Sequence, residues 1–165
     1  MADVALESGA LSLADRSEII ALLSKYYAAI DDKRLDQAAV ASVFAPEGKL
    51  VNPAGVEFVG WKHILDRETT NFAQFRSTHH VTCDHVIESE GDAARMRVNM
   101  IAMHMWTTEG SDPYSLQNHF ISGGVFHAVA VRTEVGWRLR ELSLNITWRD
   151  GAGPPLLIDF AALDG

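Results

Sequence analysis

Ser77-Thr78-His79-His80-Val81-Thr82-Cys83-Asp84-His85 is the stretch on which the interpretation of the whole chain depends. It sets three histidines and an aspartate among residues that favour β-strands. Successive side chains of a strand point to opposite faces, so the odd positions from 77 to 87 share one face and the even positions share the other. The odd face is the more apolar of the two. His79 and His80 therefore lie on opposite faces, and only one of them can enter a common cavity.

The composition of the chain is that of an ordinary globular protein. Its 165 residues are 47% hydrophobic and 22% charged, which is enough to build a sizeable core without disulfides or structural metal. We expect one folded domain over residues 13–150. A flexible arm, residues 1–12, is expected before it, and a C-terminal tail, residues 151–165, after it.

The charge balance and cysteine content exclude several partner classes. With 14 Lys and Arg against 22 Asp and Glu, the net charge is -8, which opposes binding to nucleic acid or to anionic lipid. A single cysteine, Cys83, suits a reducing compartment. We find no targeting segment and no apolar run of the ~20 residues that a membrane helix needs, so we predict a cytoplasmic protein.

Helical periodicity dominates the first half of the chain. Apolar residues recur every three or four positions over Leu13–Asp31, and Ser12 is a plausible N-cap. A second helix is predicted over residues 35–44 and a third over residues 61–75. Between them, residues 49–59 predict a β-hairpin around a Pro-Ala-Gly turn.

The second half is strand-like. Residues 94–106 alternate strictly between two faces, and a long run over residues 116–133 is interrupted by Gly123-Gly124, where a β-bulge could bend the sheet. A last strand is predicted over residues 137–148. Three helices followed by long strands predict an α+β domain, with the helices on one face of a curved antiparallel sheet.

An aspartate near a helix end and a histidine on a facing strand are the parts of a proton-transfer dyad. The carboxylate fixes the imidazole tautomer and stabilises the imidazolium. Asp31 and His79 are the candidates, although Asp31 could equally end its helix in water and His79 could bond to backbone. Tyr26 lies about 140° around the helix from Asp31 and could reach the same cavity near the helix end. His104 lies on the more apolar face of its strand.

Metal binding is the rival interpretation of the histidines. His79 and His85 share a strand face but are about 20 Å apart, too far for one zinc ion. No close-spaced zinc motif is present, and we expect neither a metal nor a cofactor. Cys83 is more simply a packing residue than a nucleophile.

Several segments resemble those of SnoaL-like proteins of the nuclear-transport-factor-2-like superfamily. They are Tyr26-Tyr27-Ala28-Ala29-Ile30-Asp31-Asp32-Lys33, Thr78-His79-His80-Val81-Thr82 and Gly136-Trp137-Arg138-Leu139 with Trp148. The resemblance is to the branch with scytalone dehydratase, hexachlorocyclohexane dehydrochlorinase and bile-acid 7-alpha-dehydratase. It implies a cone-shaped fold around an apolar cavity and an elimination without a cofactor. It also implies a dyad of Asp31 and His79, assisted by Tyr26 or His104, with His127 as a further cavity residue.

The leading hypothesis is thus a cofactor-independent lyase acting on an apolar, ring-containing substrate of steroid or polyketide size. Isomerisation or aldol cyclisation by the same base, and noncatalytic binding of a small molecule, remain alternatives. Besides His127, the residues expected to line the cavity are Phe44, Phe72, Val81, Met100, Trp106 and Phe126.

The outer face of such a sheet needs a cover. We therefore expect a homo-oligomer, most simply a dimer, formed through this face. The residues expected in the interface are Arg95, Arg97, Met103, Met105 and Trp148.

Overall fold

A computed structural model describes residues 10–107, 112 and 114–152. Most of the expected N-terminal arm and C-terminal tail lies outside the described residues. No helix among them is long and apolar enough to cross a bilayer.

Within the described residues, three helices and six strands form the domain. The helices are α1 (Leu13–Asp31), α2 (Gln37–Val43) and α3 (Trp61–Phe72). The strands are β1 (Phe44–Val51), β2 (Glu57–Val59), β3 (Phe75–Glu90), β4 (Ala93–Trp106), β5 (His119–Thr133) and β6 (Gly136–Gly151). The bounds of α1 are as predicted, whereas α2 and α3 each end before their predicted last residue because a strand begins at Phe44 and another at Phe75.

The strands form one curved, unclosed sheet in the order β2-β1-β6-β5-β4-β3. The helices lie on one face, so the predicted α+β cone is confirmed. One detail of the prediction is wrong: β1 runs parallel to β6, while the other neighbours are antiparallel. A parallel pair requires a long connection, and here the connection contains α3 and the four strands from β2 to β5 with their turns.

The core lies between the helices and the concave face of the sheet. Helix α1 crosses β3 and β6 and buries a stripe of apolar side chains. Their partners come from alternate positions of β4, where Met96, Val98 and Met100 are buried. The predicted bulge is present, because the register of β5 against β6 shifts between Gly123 and Gly124.

Two further bulges decide which residues of β3 face the core. The register of β3 against β4 shifts between Phe75 and Ser77 and again between Cys83 and Val86. Each shift adds one unpaired residue, which reverses the parity of the inward-facing positions. Phe75 and Ile87 are buried, yet between the two bulges the even positions face inward and Val81 is 46% exposed.

Candidate active site

Asp31 and His80 form the central pair of the candidate site. Asp31 is the last residue of α1, and its Oδ1 lies 2.7 Å from Nδ1 of His80 on β3. The His80 side chain is only 3% exposed. The predicted pairing of Asp31 with His79 is wrong, because the bulge after Phe75 turns His80 inward and leaves His79 exposed on the opposite face.

Asp31 is held by β3 at three points. Besides the His80 ring, the Thr78 hydroxyl donates to Oδ1 at 2.7 Å and the backbone N–H of His80 donates to Oδ2 at 2.9 Å. Burial alone would raise the pKa of Asp31, but the hydrogen bonds and charge of His80, followed by the Thr78 bond, outweigh it and lower the pKa to about 2. The carboxylate is therefore ionised at neutral pH.

An ionised carboxylate fixes the tautomer of its histidine partner. Because Asp31 can only accept hydrogen bonds, Nδ1 of His80 must carry the proton that lies between them. In the neutral ring, Nε2 then keeps its lone pair. This is the arrangement that a general base requires.

A second imidazole, His104 on β4, meets the His80 ring edge to face with 5.4 Å between ring centroids. Its Nδ1 lies 3.2 Å from the carbonyl oxygen of Phe120, to which it donates. Burial, and secondarily the neighbouring His80, lower the pKa of His104 to about 4. His104 is therefore a neutral ring at physiological pH, with Nε2 as an acceptor.

Two adjacent tyrosines of α1 contribute to the same site. Tyr27 stacks on His80 with 4.4 Å between ring centroids, a role that the sequence did not suggest. Tyr26 is 2% exposed, and its hydroxyl has no hydrogen-bond partner within the described residues. An unpaired buried hydroxyl costs about 1–3 kcal/mol. Burial raises the pKa of both tyrosines, so both keep their protons.

These groups surround a pocket of about 100 Å³. Tyr26, Tyr27, His80 and His104 line it. Of the residues expected to line the cavity, Phe72, Met100 and Phe126 do so.

Four of the residues expected to line the cavity lie elsewhere. Phe44 is buried in the core against the Tyr26 ring, with 5.4 Å between ring centroids. Val81 and His127 are exposed on the outer face of the sheet, because the strand parity turns them away from the helices. Trp106 packs on Phe75, and its indole N–H donates to the carbonyl oxygen of Ala152.

Glu68 is the polar pocket residue most clearly missed from the sequence. It lies on α3 and is 8% exposed. Burial raises its pKa to about 7, against a smaller lowering by Arg67. The sequence does contain a sign that Glu68 is buried. Glu68 lies four residues after Ile64 and four before Phe72, which puts its carboxyl group within the apolar stripe of the helix.

Metal-ligating groups are spread apart in this structure. Over residues 10–107, 112 and 114–152, no three His, Cys, Asp or Glu side chains lie close enough together to hold a metal ion. The polar groups of the pocket are instead suited to hydrogen bonding and proton transfer.

The fold and the pocket define an α+β cone protein whose cavity wall contains a histidine, His80, bonded to the carboxylate of Asp31. The chain belongs to the SnoaL-like domain family, whose sequence profile matches residues 11–143. None of the curated proteins matches the sequence.

Several solved structures share the fold. The protein Kfla4162 from Kribbella flavida is 25% identical with a TM-score of 0.73, over 83% of this chain and 93% of that one. Hexachlorocyclohexane dehydrochlorinase LinA-type3 from Novosphingobium barchaimii is 15% identical with a TM-score of 0.70, over 87% and 97%. A nuclear transport factor 2-like superfamily protein from Salmonella enterica is 20% identical with a TM-score of 0.68, over 85% and 96%.

Proposed function

We propose that this protein is a cofactor-independent lyase in which His80, oriented by Asp31, removes a proton from a small ring-containing substrate. The observation that carries the proposal is the 2.7 Å contact between Asp31 and Nδ1 of His80 in the wall of a mostly apolar pocket. That contact leaves Nε2 of His80 as the basic nitrogen. The similarity to a dehydrochlorinase fold, whose named reaction is an elimination, supports the same class of chemistry.

The proposed reaction is an elimination across two neighbouring carbons. Nε2 of His80 takes a proton from the carbon next to an activating group, and the electron pair forms the new double bond as the leaving group departs. A departing hydroxide takes a proton from Tyr26 and leaves as water. His104 is less suited to this second role, because its Nδ1 proton is already donated to the Phe120 carbonyl. Proton transfer from the His80 imidazolium then restores Tyr26.

The size of the pocket limits the range of possible substrates. A cavity of about 150 Å³ accepts one benzene molecule in another protein, and this pocket is about 100 Å³. We therefore propose a single six-membered ring rather than the steroid- or polyketide-sized substrate expected from the sequence. Phe72, Met100 and Phe126 would contact its apolar edges.

The test uses two single-ring compounds and a pair of adjacent alanine variants. Dehydration of 3-hydroxycyclohexanone gives a conjugated enone that absorbs in the ultraviolet, and dehydrochlorination of 3-chlorocyclohexanone gives the same enone and releases chloride. His80→Ala should lower turnover of whichever compound reacts by ~10²-fold or more. His79→Ala, one residue away but on the exposed face, is the control and should keep turnover within about twofold of the wild type.

The outcome separates the proposed function from its alternatives. Equal turnover of His80→Ala and wild type would remove His80 from the mechanism. A product of unchanged mass would indicate isomerisation by the same base. Binding of both compounds without turnover would favour a noncatalytic binding protein.

A further inference from the structure

Glu68 presents a carboxyl group to the pocket with nothing in the described part of the chain bonded to it. It lines the same pocket as Tyr26, His80 and His104. No hydrogen bond to its side chain is formed within the described residues. A buried carboxyl group without a partner is costly as an anion, so it is expected either to be neutral or to meet a ligand.

The charged and titratable groups around Glu68 do not offset the cost of an anion there. Helix α1 contributes Tyr26 and Tyr27, both of which keep their protons, and the anionic Asp31 near Tyr27. Strand β3 contributes His80, already bonded to Asp31, and strand β4 contributes the neutral His104.

Two cations line the pockets that Glu68 also lines. Arg67, its neighbour on α3, also lines the pocket and lowers the pKa of Glu68, but by less than burial raises it. Lys33 shares an adjoining pocket with Glu68, and its Nζ donates to the Phe75 carbonyl at 2.7 Å. No hydrogen bond joins either cation to Glu68 within the part of the chain that the structure describes. With a pKa of about 7, Glu68 is a neutral carboxylic acid at a pH of about 6.

Tyr26 is a second donor without a partner in the same pocket. Its hydroxyl is fully buried and unpaired within the described residues. Two unpaired donors in one small pocket are complementary to a single acceptor oxygen, because an oxygen atom has two lone pairs.

We propose that Glu68, as a neutral carboxylic acid, donates a hydrogen bond to an oxygen atom of the bound ring and shares that oxygen with Tyr26. The site thereby selects rings with a carbonyl oxygen over plain hydrocarbon rings. If the ring is also the substrate of the proposed lyase, Glu68 stabilises the negative charge that develops on this oxygen when His80 removes the adjacent proton, and Tyr26 gives its proton to the hydroxide that then departs.

The test is a binding measurement that needs no turnover. The probes are 2-cyclohexenone, which has the carbonyl oxygen, and cyclohexene, which has nearly the same shape without it. Glu68→Leu should weaken binding of 2-cyclohexenone by about tenfold, the effect of one lost hydrogen bond. It should leave binding of cyclohexene within about twofold, and Glu68→Gln, which keeps a donor, should bind 2-cyclohexenone nearly as wild type does.

Infrared spectra provide a second readout. The carbonyl stretch of bound 2-cyclohexenone should lie at lower frequency in wild type than in Glu68→Leu. A difference spectrum is obtained by subtracting the spectrum of Glu68→Gln from that of the wild type, both without ligand and at a pH of about 6. It should contain the carbonyl band of a protonated carboxylic acid. Asp66→Asn, an exposed acid of the same helix, is the control and should give no such band.

Three results would overturn the proposal. They are failure of the wild type to bind 2-cyclohexenone, equal loss of both probes in Glu68→Leu, and absence of the protonated carboxyl band. The proposed base is tested separately, because His80→Ala should retain the preference for 2-cyclohexenone. If neither compound is turned over, the role of Glu68 in binding can still be correct. If Glu68 has no role in binding, His80 can still be the base of a lyase.

Discussion

At the scale of single residues, Asp31 links the stability of the domain to the state of its site. The carboxylate joins the end of α1 to β3 through Thr78 and His80. Its pKa is about 2 in the folded protein, against an ordinary value of 3.8. Because the pKa of Asp31 is lower in the folded than in the unfolded protein, its ionised carboxylate stabilises the fold at pH values above the unfolded pKa. This stabilisation is lost as the pH falls through the folded pKa.

Asp31→Asn should therefore change the acid sensitivity of the fold. Wild type should lose about 2 kcal/mol more of its free energy of unfolding than Asp31→Asn as the pH falls from about 5 to about 2. Urea unfolding at several pH values measures this difference. Asp15 also has a lowered pKa, but it is present in both proteins and cancels in the comparison. Parallel pH curves would show that the Asp31 bonds do not contribute as described.

The choice between His79 and His80 shows why the sequence predicted the dyad only in part. Asp31 and a histidine of this stretch could be predicted from residue types and the family resemblance. Which of the two histidines faces inward could not be predicted. Phe75 and Ile87 have odd numbers and are buried, whereas the bulges between them turn the even-numbered positions inward. Bulges depend on pairing with β4, which no local pattern of β3 reveals.

At the scale of elements, the start of α1 is fixed by a capping box. The Ser12 hydroxyl accepts from the backbone N–H of Asp15, and the Asp15 carboxylate accepts from the backbone N–H of Ser12. Asp15 also accepts from the indole N–H of Trp137 and from Arg132, which ties the helix to the last two strands. One cap therefore joins the first helix to the two central strands of the sheet.

Ser12→Ala should lower the free energy of unfolding by about 1 kcal/mol, because the Asp15 N–H loses its acceptor. Ser12→Thr should restore most of the loss, since threonine keeps a hydroxyl that can accept from the Asp15 N–H and donate to the Asp15 carboxylate. Thermal or urea unfolding of the two variants measures both effects. A Ser12→Ala variant as stable as wild type would mean that the bonds from Trp137 and Arg132 hold the helix end without the cap.

The boundaries of helices and strands could be predicted where nearby residues in the sequence determine them. Helix α1 could be predicted from its period and its cap. The end of α2 could not, because Val40, Val43 and Phe44 are all buried and the chain changes from helix to strand within this apolar run. Strand β1 forms there because it pairs with β6, nearly a hundred residues later.

At the scale of the whole molecule, the outer face of the sheet carries a row of apolar side chains. Val81, Ile101, Gly123 and Trp148 are register partners across β3, β4, β5 and β6. Val81 and Ile101 are each 46% exposed and Trp148 is 47% exposed. Such a row on a monomer is typical of an interface.

Five residues were expected in that interface. Arg95, Arg97 and Trp148 are exposed and Met103 is partly exposed, whereas Met105 is buried and is not available to a partner.

We expect a second copy of the chain to cover this row, and Ile101→Glu tests it. A charge in the middle of the row should shift the protein toward monomer, because an unpaired charge is costly in a buried interface. Sedimentation velocity measures the change. Val135→Glu, an exposed apolar residue in the turn before β6, is the control and should leave the mass unchanged. A wild-type protein that is monomeric at high concentration would contradict the expectation.

The overall architecture was the most predictable level. Three amphipathic helices followed by long alternating strands leave few α+β arrangements, and the family resemblance selected the cone. The parallel pairing of β1 with β6 and the place of Glu68 in the pocket depend on long-range packing, so they became clear only from the three-dimensional structure.

We propose that Asp31 prepares His80 as a base, and the protonation state of the two ring nitrogens of His80 provides a test. Long-range proton–nitrogen correlation spectra of ¹⁵N-labelled protein report which nitrogen carries the proton, and His80→Gln identifies the signals. At a pH about two units above the ordinary imidazole value of about 6.5, Nδ1 should carry a proton and Nε2 should not. A proton on Nε2 with a bare Nδ1 would show that Asp31 does not prepare His80 as a base, because Nε2 would then be unable to accept a proton from the substrate.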